Sequence, residues 1–259
     1  MTFSLRLTAD LIVASAARFL SARRDQSPIL RVSTESTLDS ASVLFSTTGQ
    51  QPLHVPSQPV AGLSRNQAPI IWISGSEPLD HPEVALLSNA LAASGRHVFL
   101  ETSGASLKRH LHEFQPSSRF YFTIRFDKSE PSYDQRRAPH SAFRMGLEAI
   151  RIARLAGFFT CAYLVLHSNA AVRGVEELHS EICDFDVDGC LITPAAPIPE
   201  LERKVGQVRR RLLNRHWALF SSLLEASASP VKSQTSLETE RQHIPESQPS
   251  SFGESAQAR

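Results

Sequence analysis

The sequence predicts an α/β fold, a largely parallel sheet wound with helices into an open sheet or a partial barrel. Six short apolar or β-branched runs, at residues 29–32, 70–73, 97–100, 120–126, 158–166 and 190–192, alternate with stretches of helical period. Such alternation builds βαβ units, and their crossovers are right-handed. The composition agrees: 259 residues, 41 % hydrophobic and 20 % charged, suffice for a sizeable core.

The elements follow in order. The strand at 29–32 leads into an irregular region, 38–66, in which Gly49, Pro52, Pro56, Pro59 and Gly62 interrupt any period. A loop of that length inside a domain signals function or disorder. After the strand at 70–73, Pro82 and Glu83 open a helix over 84–93, and Gly95 ends it. A strand at 97–100 and a helix at 107–114 precede the aromatic strand 120–126. Phe143, Leu147, Ile150 and Leu155 mark a helix over 143–156, with Gly157 as its stop. Strand 158–166, helix 172–182 and strand 190–192 complete the alternation. One long helix is predicted over 201–224, where Leu201, Val205, Val208 and Leu212 form an apolar stripe. Residues 226–259 hold eight serines and only four residues from Val, Ile, Leu and Phe, so they are expected to be disordered. The expected organisation is a segment 1–27, a body 28–225 and a tail 226–259.

Charge excludes some functions. Lys and Arg number 27 against 26 Asp and Glu, a balance unlike that of a general nucleic-acid binder. Arg203, Lys204, Arg209, Arg210, Arg211 and Arg215 lie largely off the stripe of 201–224. They read as a solvated face, with peripheral contact to an anionic membrane as the second reading. The three cysteines, Cys161, Cys183 and Cys190, suit reduced thiols. No apolar run nears the ~20 residues of a membrane span, and the first residues lack the basic start of a secretory signal. A cytoplasmic location is expected.

Ligands of parallel α/β sheets sit at the carboxyl ends of the strands. That rule selects 74–78, 101–104, the segment from Asp127 onward, and 193–197. In Ser74-Gly75-Ser76-Glu77-Pro78, Gly75 permits a positive φ and close backbone approach. Glu77 supplies a carboxylate suited to an amino group, and Pro78 stiffens the turn. Thr102 and Ser103 are placed to bond a ligand or to cap the next helix. Asp127 is a strand-end acid that serves a ligand or its own turn. His81 and His97 lack partners at useful spacing, and Asp80 with Glu83 fits a helix start better than a metal site.

A resemblance sharpens this reading. The string IWISGSEPLDHPEV is similar to the radical S-adenosylmethionine (SAM) enzyme segment that carries a Gly-Gly-Glu-Pro motif. HVFLETSG resembles the next strand with its Thr-Asn-Gly-like end, and FTIRFDKSEPSYDQRRAPHSAFRMGLEAIRIARLAGF the following strand, loop and helix. The similarity runs over roughly residues 70–195 and is nearest to the hopanoid-biosynthesis radical enzymes, which attach an adenosyl group to a polycyclic lipid. LTADLIVASAARFLSARR resembles their leading helix. The resemblance implies a partial (β/α)6 barrel that binds SAM, with Gly75, Ser76, Glu77, Pro78, Thr102, Ser103 and Asp127 at the cofactor site. Ser76 stands where the family has its second glycine.

The family also implies a four-iron four-sulfur cluster on C-x3-C-x2-C after the first strand. This chain has no cysteine before Cys161. In the matching loop, Ser42, Ser46 and Gly49 keep the spacing without thiolates. A serine hydroxyl does not lose its proton near neutral pH, and glycine offers no ligand. The expectation is therefore a cluster-free relative, a pseudoenzyme that binds a small ligand or a protein partner. The alternative is an active enzyme whose cluster is held atypically.

Overall fold

A computed structural model of the chain describes residues 7–10, 12–13, 28–35, 44–46, 53–54, 68–127 and 141–228. These residues fall in one compact unit, Met1–Ser229. Residues 229–259 of the expected disordered tail, most of segments 1–27 and 38–66, and Ser42 and Gly49 lie outside them; residues 226–228, expected in the tail, instead finish the last helix.

The strands are β1 (Ile29–Glu35), β2 (Leu44–Ser46), β3 (Leu53–His54), β4 (Ile70–Gly75), β5 (His97–Thr102), β6 (Phe120–Asp127), β7 (Phe159–Leu166) and β8 (Gly189–Pro194). Their order is β3-β2-β1-β4-β5-β6-β7-β8. Every pairing from β1 through β8 is parallel, so the six expected strands are the parallel ones. The short strands β2 and β3 extend the β1 edge antiparallel. They correct the reading of 38–66 as wholly irregular: strands of two or three residues are too short to leave a period.

The helices are α1 (Val84–Ala93), α2 (Leu107–His110), α3 (Ala142–Leu155), α4 (Val172–Cys183), α5 (Pro199–Leu212) and α6 (Arg215–Ala228). From β1 to β8 the parallel order never reverses. Right-handed crossovers then place the connecting helices on one face of the sheet. The pleat turns Val32, Ile71, Ile73, Val98, Leu100, Phe122 and Leu164 to that face, all fully buried. Phe114 and Phe158 pack there on Phe120 and Phe122, and Phe143 of α3 packs on Phe126.

The opposite face curls inward. Trp72 on β4 and Tyr163 on β7 are three strands apart, about 14 Å in a flat sheet, yet their ring centroids are 5.2 Å apart at 75°. Helix α6 packs on both β8 and β1, the two ends of the parallel run. The architecture is a partial barrel, as expected.

The amino ends of the strands are plugged. Trp217 of α6 covers Gly189, the first residue of β8, and Phe220 meets Phe99 at 4.9 Å. Residues 7–10 and 12–13 are helical. Leu7 is buried, and Asp10 Oδ2 lies 2.9 Å from His97 Nε2 and 3.4 Å from Arg119. His97 thus has the partner that its sequence spacing did not reveal.

The predicted single helix over 201–224 is two helices. The break falls at Leu213 and Asn214, where Asn214 Oδ1 accepts the Trp217 N–H at 3.0 Å and caps α6. Arg209, expected on the solvated side, is buried. Its Nε donates to the Ile192 carbonyl at 2.7 Å, and it pairs with Glu225 at 2.6 Å. Ser221 accepts the Ile192 N–H at 3.2 Å, so α5 and α6 satisfy the open edge of β8. Among the described residues, no helix is long and apolar enough to cross a membrane.

A Cβ on Gly189 would come within 2.0 Å of the Trp217 ring. Gly189→Ala is expected to destabilise the protein by about 1–3 kcal/mol. Urea unfolding should show a lower midpoint at unchanged slope; an unchanged midpoint would mean that the plug is loose.

Candidate functional site

At the carboxyl ends of the strands, two of the four segments selected from sequence, 74–78 and 101–104, meet around Glu77. Its Oε1 accepts the Thr102 hydroxyl at 2.6 Å and the Leu79 N–H at 3.4 Å. Its Oε2 accepts the Ser103 N–H at 3.0 Å and the Ser103 hydroxyl at 2.5 Å. Four donors fill the carboxylate, so Glu77 ties the loop after β4 to the loop after β5. Thr102 and Ser103 therefore do not cap α2: each bonds Glu77 and accepts an N–H within its own loop, from Gly104 at 3.0 Å and Ala105 at 3.4 Å.

Two glycines make this junction sterically feasible. A Cβ on Gly75 would sit 2.4 Å from the Thr34 carbonyl oxygen, because β1 and β4 approach closely there. Close approach is thus what Gly75 provides. The positive φ expected of it is absent, since the positive-φ glycines among the described residues are Gly95, Gly104 and Gly157. Gly104 has φ 87, and a Cβ there would meet Ala149 of α3 at 2.6 Å. Ser76 is exposed at the tip, and Pro78 is buried at the start of the 3-10 turn Pro78–Asp80.

A second cluster lines the concave face beneath these loops. Trp72 Nε1 donates to Glu101 Oε2 at 3.0 Å, and Arg125 donates to Glu101 Oε1 at 3.2 Å. Arg125 also donates to Asp127 Oδ2 at 3.4 Å, while His167 Nε2 lies 2.6 Å from Asp127 Oδ1. The chain Trp72–Glu101–Arg125–Asp127–His167 climbs from the barrel interior to its mouth. Beside it, Thr193 donates to the Tyr163 hydroxyl at 2.9 Å. Burial pushes the Glu101 carboxyl up from its ordinary value, against the opposing pull of Arg125, Trp72 and Arg31. Burial also raises the Tyr163 phenol, and Glu101 adds to it. For Arg125, burial would lower the value, but Glu101 and Asp127 outweigh it and the guanidinium is held charged.

The expected residues therefore fall into two groups. Gly75, Ser76, Glu77, Pro78, Thr102 and Ser103 share one loop junction. Asp127 joins the other network through Arg125 and His167. Sequence reasoning selected the segment 101–104 without giving Glu101 a role, and missed Arg31, Trp72, Arg125, Tyr163 and His167 as site residues. One signal was present: Thr123, Arg125 and Asp127 recur at every second position of an otherwise apolar strand, which puts three polar groups on one face.

The cysteines do not converge. Cys161 pairs in register with Gly189, so Cys190, one residue on, points to the opposite face of the sheet. Both are buried, and burial pushes both thiols up, Cys161 strongly. Cys183 ends α4 and lies 3.6 Å from His179 Nδ1. Among the described residues, no group of three or more His, Cys, Asp or Glu is placed to hold a metal ion.

The family model of the Radical SAM superfamily matches residues 50–181, just over half of the chain. The chain belongs to the radical SAM superfamily. No curated protein matches it in sequence. Among solved structures, archaeal TYW1 is similar at 16% identity and TM-score 0.39, over 60% of this chain and 57% of that one. Streptococcus suis SuiB bound to its precursor peptide SuiA is similar at 12% identity and TM-score 0.49, over 79% of this chain and 52% of that one. SuiB bound to S-adenosylmethionine gives 12% and 0.47, over 71% and 44%. The match spans about half the length of each of these structures.

The burial of the thiols has a direct readout. A thiol reagent at neutral pH should modify one cysteine of the native protein, the half-buried Cys183, with Cys161 and Cys190 reacting only after denaturation. Two or three fast thiols in the native protein would contradict the packing of β7 and β8.

Proposed function

We propose that this radical SAM superfamily member is a cluster-free pseudoenzyme that binds S-adenosylmethionine, or a close relative of it, at the open end of the barrel and does not cleave it reductively. One observation carries this reading. The chain's three cysteines are two buried thiols on opposite faces of the sheet and one at a helix end, and no cysteine precedes Cys161. Three thiolates on one loop are what would hold the cluster. The donor set present does not fit that group, and no electron path through it follows.

The fit to the cofactor is better. The loop Ser74–Pro78 keeps the family's Gly, Glu and Pro, and its tip is exposed at the barrel mouth. The concave face below carries a buried guanidinium nitrogen, Arg31 Nε, without a partner. Glu77 would act by holding the two loops at the distance the ligand needs, with Gly75, Ser76 and Ser103 presenting backbone and hydroxyl groups to it. SAM, when bound in this superfamily, supplies the adenosyl group; here the chain's residues would bind and orient it. The strings that resemble the hopanoid-biosynthesis enzymes support a kinship with that subgroup and an apolar second ligand. A protein partner is the other occupant consistent with a pseudoenzyme.

Calorimetric titration of the untreated protein with SAM tests the reading. Saturable binding with one site is expected. Glu77→Gln replaces an acceptor with a donor facing donors and should weaken that binding about tenfold, the effect of one lost charge-assisted hydrogen bond. Absence of binding in the folded wild-type protein would overturn the ligand reading, and equal affinity in both proteins would remove Glu77 from the site.

A further inference from the structure

The concave wall holds two guanidinium groups in different circumstances. Arg125 is fully engaged, bridging Glu101 and Asp127. Arg31 stands on β1 in register with Trp72. Its Nε is buried without a hydrogen-bond partner. Glu101 attracts its charge but gives it no hydrogen bond: both carboxylate oxygens are taken, by Trp72 and Arg125. The Thr123 hydroxyl, on the same face, is also buried and unpartnered.

An arginine has no neutral form to retreat to, and its five donors lie in a flat fork. Placing that fork where a nitrogen is cut off from water without an acceptor carries a desolvation cost. For packing alone, an apolar side chain would serve the position better, as Trp72 and Ile29 do on the same face. The matching acceptor is a planar carboxylate, which takes the fork through two parallel hydrogen bonds. A dianion fits less well, because Glu101 and Asp127 line the same wall.

We propose that Arg31 is the counter-ion for the carboxylate of the small molecule bound on the concave face. The proposal rests on the ligand-binding reading above, and S-adenosylmethionine carries one such carboxylate. Arg31 would recognise that end of the ligand, while the loops held by Glu77 recognise the other contacts.

The test compares SAM with its decarboxylated analogue, which lacks only this group, on the wild type, Arg31→Met and Arg31→Lys by titration calorimetry. The wild type should prefer SAM by about tenfold or more. Arg31→Met should lose that preference and bind both compounds equally, and Arg31→Lys should recover part of it. Without ligand, Arg31→Met should melt at the wild-type temperature or above, since a buried guanidinium nitrogen without an acceptor has been removed. A ligand-free Arg31→Met that melts several degrees lower, or one that keeps the preference for SAM, overturns the proposal and leaves the binding reading standing. A wild type that binds neither compound overturns both.

Discussion

Trp72 and Tyr163 meet edge to face across three strands, and that contact requires the sheet to be bent. Once the parallel order runs from β1 to β8 without reversal, the helices gather on one face and the other must close on itself or be left to water. The bend closes it. Helix α6 completes the closure at the amino ends by touching both β1 and β8, with Trp217 seated where Gly189 leaves room. Among the described residues, every candidate functional residue lies at the carboxyl ends or on the concave wall beneath them.

Closing a sheet over charged groups requires that they be paired. Glu101 tolerates burial because Trp72 and Arg125 each satisfy one of its oxygens, and Arg125 in turn leans on Asp127 and His167. Higher up, Glu77 does the same for two loops whose hydroxyl and amide donors would otherwise be free to move. The two clusters give the mouth a fixed frame, as a binding site needs whether or not chemistry follows.

Most of the fold was legible in the sequence because buried parallel strands read as apolar runs and their helices keep a 3.6 period. The six parallel strands lie where the runs predict. The strands β2 and β3 were not legible because they are too short, and the turn at Leu213 and Asn214 was hidden by an apolar stripe that continues across it. The site was half legible. Glu77, Thr102 and Ser103 sit at strand ends, where a positional rule finds them. Trp72, Glu101, Arg125 and Tyr163 come together only through the curl, because their contacts cross several strands and leave no local pattern. Arg209 shows the same limit in reverse: a charge on a basic helix became a buried cap for the edge of β8.

The proposed reading rests on the placement of the thiols in a superfamily frame. Cys161 and Cys190 are adjacent in the sheet but on opposite faces, and pleating forbids their convergence without breaking a strand. The central claim is therefore about metal content. The most direct measurement is iron and acid-labile sulfide per chain after anaerobic reconstitution and desalting, read with the absorbance near ~400 nm typical of thiolate-bound clusters. The account predicts neither iron nor sulfide above background and no such band. Stoichiometric retention of about four of each per chain, with the band, would contradict it and return the protein to the active enzymes of its superfamily.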